Sequence, residues 1–180
     1  MNMASNKKLL LITIGAIFLF SLSACSTNGG LSAKGVNTKL NQSEYSWSII
    51  LKNSETADDL NTTKAAVQYN GDITHISYQE KPKEGNTFLL VELIIEKTKS
   101  GPSKFEWANL YVLDSSGVKF YRHPNDTFLE SFNFSRIKST DLTFGKNEGF
   151  ICFEISKQAS KGKLYLVYNF LEGENRIKLK

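Results

Sequence analysis

His75 and His123 are the only imidazoles in this chain of 180 residues. Hydrolytic chemistry would need one of them as a base, beside a nucleophile and a group that orients the base. His123 stands in Arg122-His123-Pro124-Asn125-Asp126, where Asp126 can pair with the ring, so it is the one candidate base. His75 lies in the alternating run Ile73, His75, Ser77, the pattern of a solvated strand position. Ser-x-x-Lys occurs twice, at Ser135 to Lys138 and Ser160 to Lys163. Neither copy is followed by the S-D-N or K-T-G elements that give that pattern its meaning. The sequence contains no G-x-S-x-G, no H-E-x-x-H and no phosphate-cradling glycine loop. A tetrahedral zinc site needs clustered Cys and His, which Cys152 and two distant histidines do not supply. Calcium needs several oxygens together, whereas Asp58-Asp59 and Asp114-Ser115-Ser116-Gly117 each offer at most two carboxylates. The second of these reads as a turn, and Cys152 reads as a small buried apolar group in a strand. The expectation is a protein with no catalytic residue, no metal and no cofactor.

The stretch Arg122 to Ile137, RHPNDTFLESFNFSRI, packs Phe128, Leu129, Phe132 and Phe134 into seven residues. Asp126 can cap a single helical turn that turns Phe128, Leu129 and Phe132 to one side. Two roles follow from such a loop. The aromatics close one end of the fold, or they are presented to a partner from a rigid scaffold. Trp107, after the Gly101-Pro102 break, admits the same two readings. Phe128, Phe132, Phe134, Trp107 and His123 are therefore the candidate partner-binding residues.

Two lysines, Lys7 and Lys8, precede an apolar run from Leu9 to Leu22, the layout of a secretory signal. Its 14 residues would cover about 21 Å as a helix, short of the roughly 30 Å core of a bilayer. Leu22-Ser23-Ala24-Cys25 follows, and it resembles the lipobox of bacterial lipoproteins. That resemblance implies cleavage before Cys25 and a thioether-linked diacylglycerol on its sulfur, two chains being what stable anchoring requires. Residues 1–24 are then the signal peptide, and the expected location is the extracytoplasmic face of a membrane. An ordinary cleaved signal peptide, leaving a free thiol at Cys25, is the alternative.

Cleavage removes Lys7 and Lys8 and no acid, lowering the formal charge from +4 to +2. So balanced a chain, with its arginines Arg122, Arg136 and Arg176 scattered, argues against a nucleic-acid partner. With Cys25 lipidated, Cys152 has no intramolecular disulfide partner. Residues 26–44 are rich in Gly, Ser, Asn and Thr and cannot bury enough apolar surface to offset ordering, so 25–45 reads as a lipidated cysteine and flexible tether. Such a tether would hold the domain on the order of 25 Å from the lipid. Residues 46–180 form one domain by length.

From Ser46 the helix period gives way to short alternating runs. Ser46 to Leu51 places Trp47, Ile49 and Leu51 on one face, and the stretch from Asn53 to Thr63 is polar. Ala65 to Tyr69 and Asp72 to Tyr78 flank Asn70-Gly71, a type I′ hairpin signal. Phe88 to Ile95, FLLVELII, is apolar on both faces apart from Glu92 and suits a central strand. Leu110 to Leu113 and Val118 to Tyr121 form a second hairpin. Gly149 to Ile155, Leu164 to Phe170 and Arg176 to Leu179 complete the set. Strands at this spacing predict an all-β, antiparallel sandwich.

The runs Gly85 to Leu93, Leu110 to Gly117, Leu142 to Gly145 and Gly149 to Ile155 resemble successive strands of an immunoglobulin-like domain of unknown function. That domain occurs in Gram-positive surface lipoproteins and is similar to a secreted mycobacterial immunoprotective antigen. The resemblance spans roughly residues 85–170, and Glu96 to Gly101 stands where the family often has an Asn-rich turn. It implies an immunoglobulin-like β-sandwich and carries no catalytic residues. The functional expectation is a lipid-anchored surface lipoprotein with a non-catalytic binding domain for a protein or envelope component. The alternatives are an envelope hydrolase or modifying enzyme using the His123 loop, and a shielding or immunity lipoprotein.

Overall fold

The computed structural model describes residues 39–41, 47–99, 104–138, 142, 144–170 and 173–180. The signal segment, Cys25 and most of the tether lie outside the described residues.

The chain is an all-β, immunoglobulin-like sandwich of two antiparallel four-stranded sheets. The first sheet runs in the order β1 (Lys39–Asn41), β2 (Trp47–Ala57), β5 (Asn86–Lys97), β8 (Gly145–Ser156). The second runs β10 (Gly173–Lys178), β9 (Leu164–Phe170), β6 (Leu110–Asp114), β7 (Lys119–Tyr121). A separate two-stranded hairpin, β3 (Leu60–Val67) and β4 (Ile73–Glu80), leaves the first sheet between β2 and β5. Strand β1 pairs with β2 from Lys39↔Ile50 to Asn41↔Ser48, so part of the expected tether serves as an edge strand.

Alternation fixes the main core. β5 turns Leu89, Val91, Leu93 and Ile95 inward, and they meet Ile151, Phe153 and Ile155 of β8 and Leu110, Val112, Leu164 and Leu166 of the facing sheet. The other face of β5 explains why FLLVELII is apolar on both sides. Phe88 and Leu90 point outward and are buried again, with Cys152 and Leu129, in a second apolar layer.

Strand β2 runs on through the stretch expected to be a polar connection. A bulge between Leu51 and Asn53 leaves Lys52 outside and shifts the alternation by one residue. Ser54 then takes an inward position, buried, its hydroxyl donating to the carbonyl of Leu179 at 3.3 Å. The β3–β4 turn also differs from the expected type I′. Gly71 has φ of 87° and Asn70 does not share its positive φ. The loop is longer, closed by Gln68 N–H to Asp72 O at 2.8 Å, with the Asn70 side chain accepting the Asp72 amide at 3.1 Å. An asparagine that hydrogen-bonds two residues on supports its turn without a left-handed backbone.

Candidate functional site

The segment from Arg122 to Ile137 is attached to β8 at both ends. The His123 amide donates to Cys152 O at 2.7 Å, the Phe150 amide to Ser135 O at 2.7 Å and the Ile137 amide to Phe150 O at 3.0 Å. The second attachment depends on Gly149, whose φ is 154° and whose missing Cβ would collide with the Ser135 carbonyl. Between the attachments, a 3₁₀ segment at Thr127–Phe132 ends at Asn133, in the left-handed conformation with φ of 66°.

This segment lies on the outer face of the first sheet rather than across an end of the sandwich. Leu129 is fully buried, and Phe128, Phe132 and Phe134 are half-buried over Phe88, Leu90, Cys152 and Phe150. The ring centroids of Phe88 and Phe128 stand 5.4 Å apart, and those of Phe134 and Phe150 stand 4.9 Å apart. The cluster is therefore largely a packing layer. Burial pushes the Cys152 thiol well above its ordinary range, with nearby carboxylates adding to the shift, so it is an inert apolar filler.

Asp126 stands at the N-cap position, yet its carboxylate makes no cap hydrogen bond, contrary to expectation. It does not pair with His123 either. Two guanidiniums hold it instead: Arg122 Nε donates to Oδ2 at 2.7 Å, and Arg136 Nη1 to Oδ1 at 3.4 Å. The three side chains are deeply buried, at 10%, 14% and 6% exposure for Arg122, Arg136 and Asp126. A permanently charged guanidinium is the stronger partner for a buried carboxylate than an amide or a neutral imidazole. Arg122 also donates through Nη2 to Ile137 O at 2.6 Å and lies over the Trp107 ring at 4.2 Å. Glu130, half-exposed, accepts from Arg136 Nε at 3.4 Å.

His123 has partners of its own. Its Nδ1 lies 2.9 Å from the Asn125 carbonyl oxygen, and its Nε2 lies 3.8 Å from Glu154 Oε2. Burial alone would raise the Glu154 pKa. Hydrogen bonds from Asn86 Nδ2 at 2.7 Å and the Lys83 amide at 2.9 Å outweigh it and hold the carboxyl below its ordinary value.

These groups surround an open cleft of about 400 Å³ walled by Trp107, Tyr121, Arg122, His123, Asp126 and Arg136. Trp107 is half-buried, its ring 4.9 Å from that of Phe105, and Tyr121 is 55% exposed. Of the sequence candidates, the structure brings Trp107 and His123 to the cleft and sets Phe128, Phe132 and Phe134 in the packing layer beside it. Tyr121, Arg122 and Arg136 were missed. The i,i+4 spacing of Arg122 and Asp126 was the available signal, whereas Arg136 enters only because the segment doubles back. Among the described residues no three Cys, His, Asp or Glu side chains converge as a metal site. The Asp114 carboxylate is engaged within its own turn by the amides of Ser116 and Val118, at 2.8 and 2.9 Å.

The chain matches no protein-family model and no curated protein. It is similar in structure to a conserved hypothetical protein from Bacillus anthracis, with a TM-score of 0.55 and 18% identity over 84% of this chain and 97% of that one. An uncharacterised β-sandwich protein from Clostridium difficile 630 aligns at a TM-score of 0.46, with 15% identity over 82% of this chain and 93% of that one. A functionally unknown protein from Listeria monocytogenes EGD-e aligns at 0.43, with 8% identity over 83% and 86% of the two chains. The first of these likenesses supports the shared fold.

Proposed function

We propose that this protein is a lipid-anchored, extracytoplasmic lipoprotein whose sandwich is a non-catalytic binding domain, with the cleft beside Trp107 as its recognition surface. The lipobox-like Leu22-Ser23-Ala24-Cys25 and the resemblance to surface lipoprotein domains support the anchored placement. One observation carries the binding reading. The cleft is lined by a preassembled Arg122–Asp126–Arg136 triad together with Trp107 and Tyr121. Planar donors locked by a buried carboxylate, beside flat apolar walls, recognise a ligand without reorganisation. The hydrolase reading is less well supported, because the His123 Nδ1 is engaged with Asn125, and the Thr127 hydroxyl at the cleft donates to Asn125 Oδ1 at 2.6 Å. A shielding or immunity lipoprotein would use the same cleft and differ only in what it captures.

Cell fractionation and photocrosslinking test this reading together. Cys25→Ala should shift the protein out of the membrane fraction or leave it unprocessed; unchanged acylated protein in the membrane would refute the anchor. A benzophenone amino acid replacing Tyr121 should capture a partner on intact cells, whereas the same probe replacing Lys178, on edge strand β10, should not.

A further inference from the structure

The triad leaves two N–H-bearing nitrogens unused. Arg122 Nη1 is buried with no hydrogen-bond partner among the described residues. Arg136 donates through Nε and Nη1, and its Nη2 has no partner among them. Arg122 Nη1 is closed off from solvent and contributes charge rather than a contact, whereas Arg136 Nη2 is not among the buried atoms, and a guanidinium with an accessible donor to spare in the wall of a cleft is suited to an oxyanion. The charge balance narrows the class. Arg122, Arg136 and Asp126 together carry one net positive charge, and the carboxylate that offsets it from outside is Glu130, whose side chain is 54% exposed and which sits 3.4 Å from Arg136 Nε. A monoanion can substitute for Glu130 with no change in the balance, whereas a phosphate dianion brings one charge too many. Trp107 and Tyr121 supply flat apolar surface for whatever the anionic group is attached to.

From this we infer that the cleft binds a carboxylate-bearing ligand, its carboxylate seated on Arg136 with Arg122 beside it, and its body lying against Trp107 and Tyr121. Glu130 is the internal competitor that such a carboxylate displaces, and Asp126 holds both guanidiniums in place. This deepens the binding reading above and rests on it.

The test uses the full chain in detergent and follows the Trp107 indole resonance by NMR. Benzoate is the probe, with benzamide as its neutral isostere and phenyl phosphate as its dianionic counterpart. Benzoate should give a saturable shift at least tenfold tighter than benzamide and tighter than phenyl phosphate. Arg136→Gln should weaken benzoate tenfold or more, Arg136→Lys should weaken it less, and Glu130→Gln should tighten it severalfold. The amide spectrum of each variant reports whether it folds, and Glu130→Gln, an exposed change, keeps the test alive if the arginine variants do not. No saturable benzoate shift, equal binding of benzamide, indifference to Glu130→Gln, or preference for phenyl phosphate would each overturn the carboxylate assignment. The Tyr121 crosslink separates the two levels. Its persistence alongside a failed benzoate titration leaves the cleft as a contact surface for another ligand class, and its loss overturns the cleft itself.

Discussion

The 122–137 segment and the β3–β4 hairpin are both insertions on the first sheet, both rich in apolar side chains, and they meet opposite fates. In the first, Leu129 is fully buried and its aromatic neighbours are half-covered. In the second, Val67 is 74% exposed, Ile73 is 65% exposed and Tyr69 is fully exposed. The cause is attachment, not composition. Backbone hydrogen bonds to Cys152 and Phe150 hold the segment at both ends and press it onto Phe88 and Leu90. The hairpin is anchored at its base through Leu60 and by a long contact from Lys64 Nζ to Glu130 O at 3.5 Å. Its own pairs, such as Val67↔Ile73 and Thr63↔Ser77, hold the rest. A lone two-stranded ribbon is marginal in water, so its tip draws little stability from the sandwich.

Leu129→Ala gives the sharpest test of that contrast. It should cost about 2 to 5 kcal/mol in urea unfolding, the range for a buried leucine whose site cannot collapse. A cost below about 1 kcal/mol would mean that the segment is dispensable to the core. A smaller, pH-dependent effect is expected at Glu154. Its folded pKa lies below the ordinary value of 4.5, so its stabilising contribution is present above that pH and is lost as pH falls through the folded value. Asn86→Ala removes one of the hydrogen bonds that lower it, and should flatten the fall in stability between neutral and acid pH; unchanged pH dependence in thermal unfolding would break the assignment. Least of all, Ile73→Ser should alter stability by no more than about 0.5 kcal/mol, a surface change in a region with little packing to lose. A loss near that of Leu129→Ala would erase the contrast between the two insertions.

The alternation of Leu89, Val91, Leu93 and Ile95 made β5 legible, and the same period exposed β8 and β9. Strand β2 was legible only to Leu51, because a bulge at Lys52 resets the pattern and replaces an apolar signal with the buried Ser54. The aromatic segment was visible as a feature, but its position over a sheet face rather than a sandwich end depends on long-range hydrogen bonds to β8 that no local pattern encodes. At the cleft, Trp107 and His123 stood out by residue type. Arg122 and Arg136 did not, since scattered arginines look like solubility until the chain reversal brings them to one carboxylate. The expected His123–Asp126 pair failed for a related reason. Proximity in sequence put the imidazole within reach, and electrostatics gave the carboxylate to the guanidiniums.

The position behind Arg136 bears on how such a protein can change over time. Gly149 carries no side chain, and the space this leaves lets the Ser135 carbonyl reach the Phe150 amide and sets the Arg136 backbone close behind the cleft, with its guanidinium on Asp126. A single added methyl there would meet main chain and no movable side chain, so the smallest possible substitution, made outside the cleft, would lever Ser135 and Arg136 off the strand.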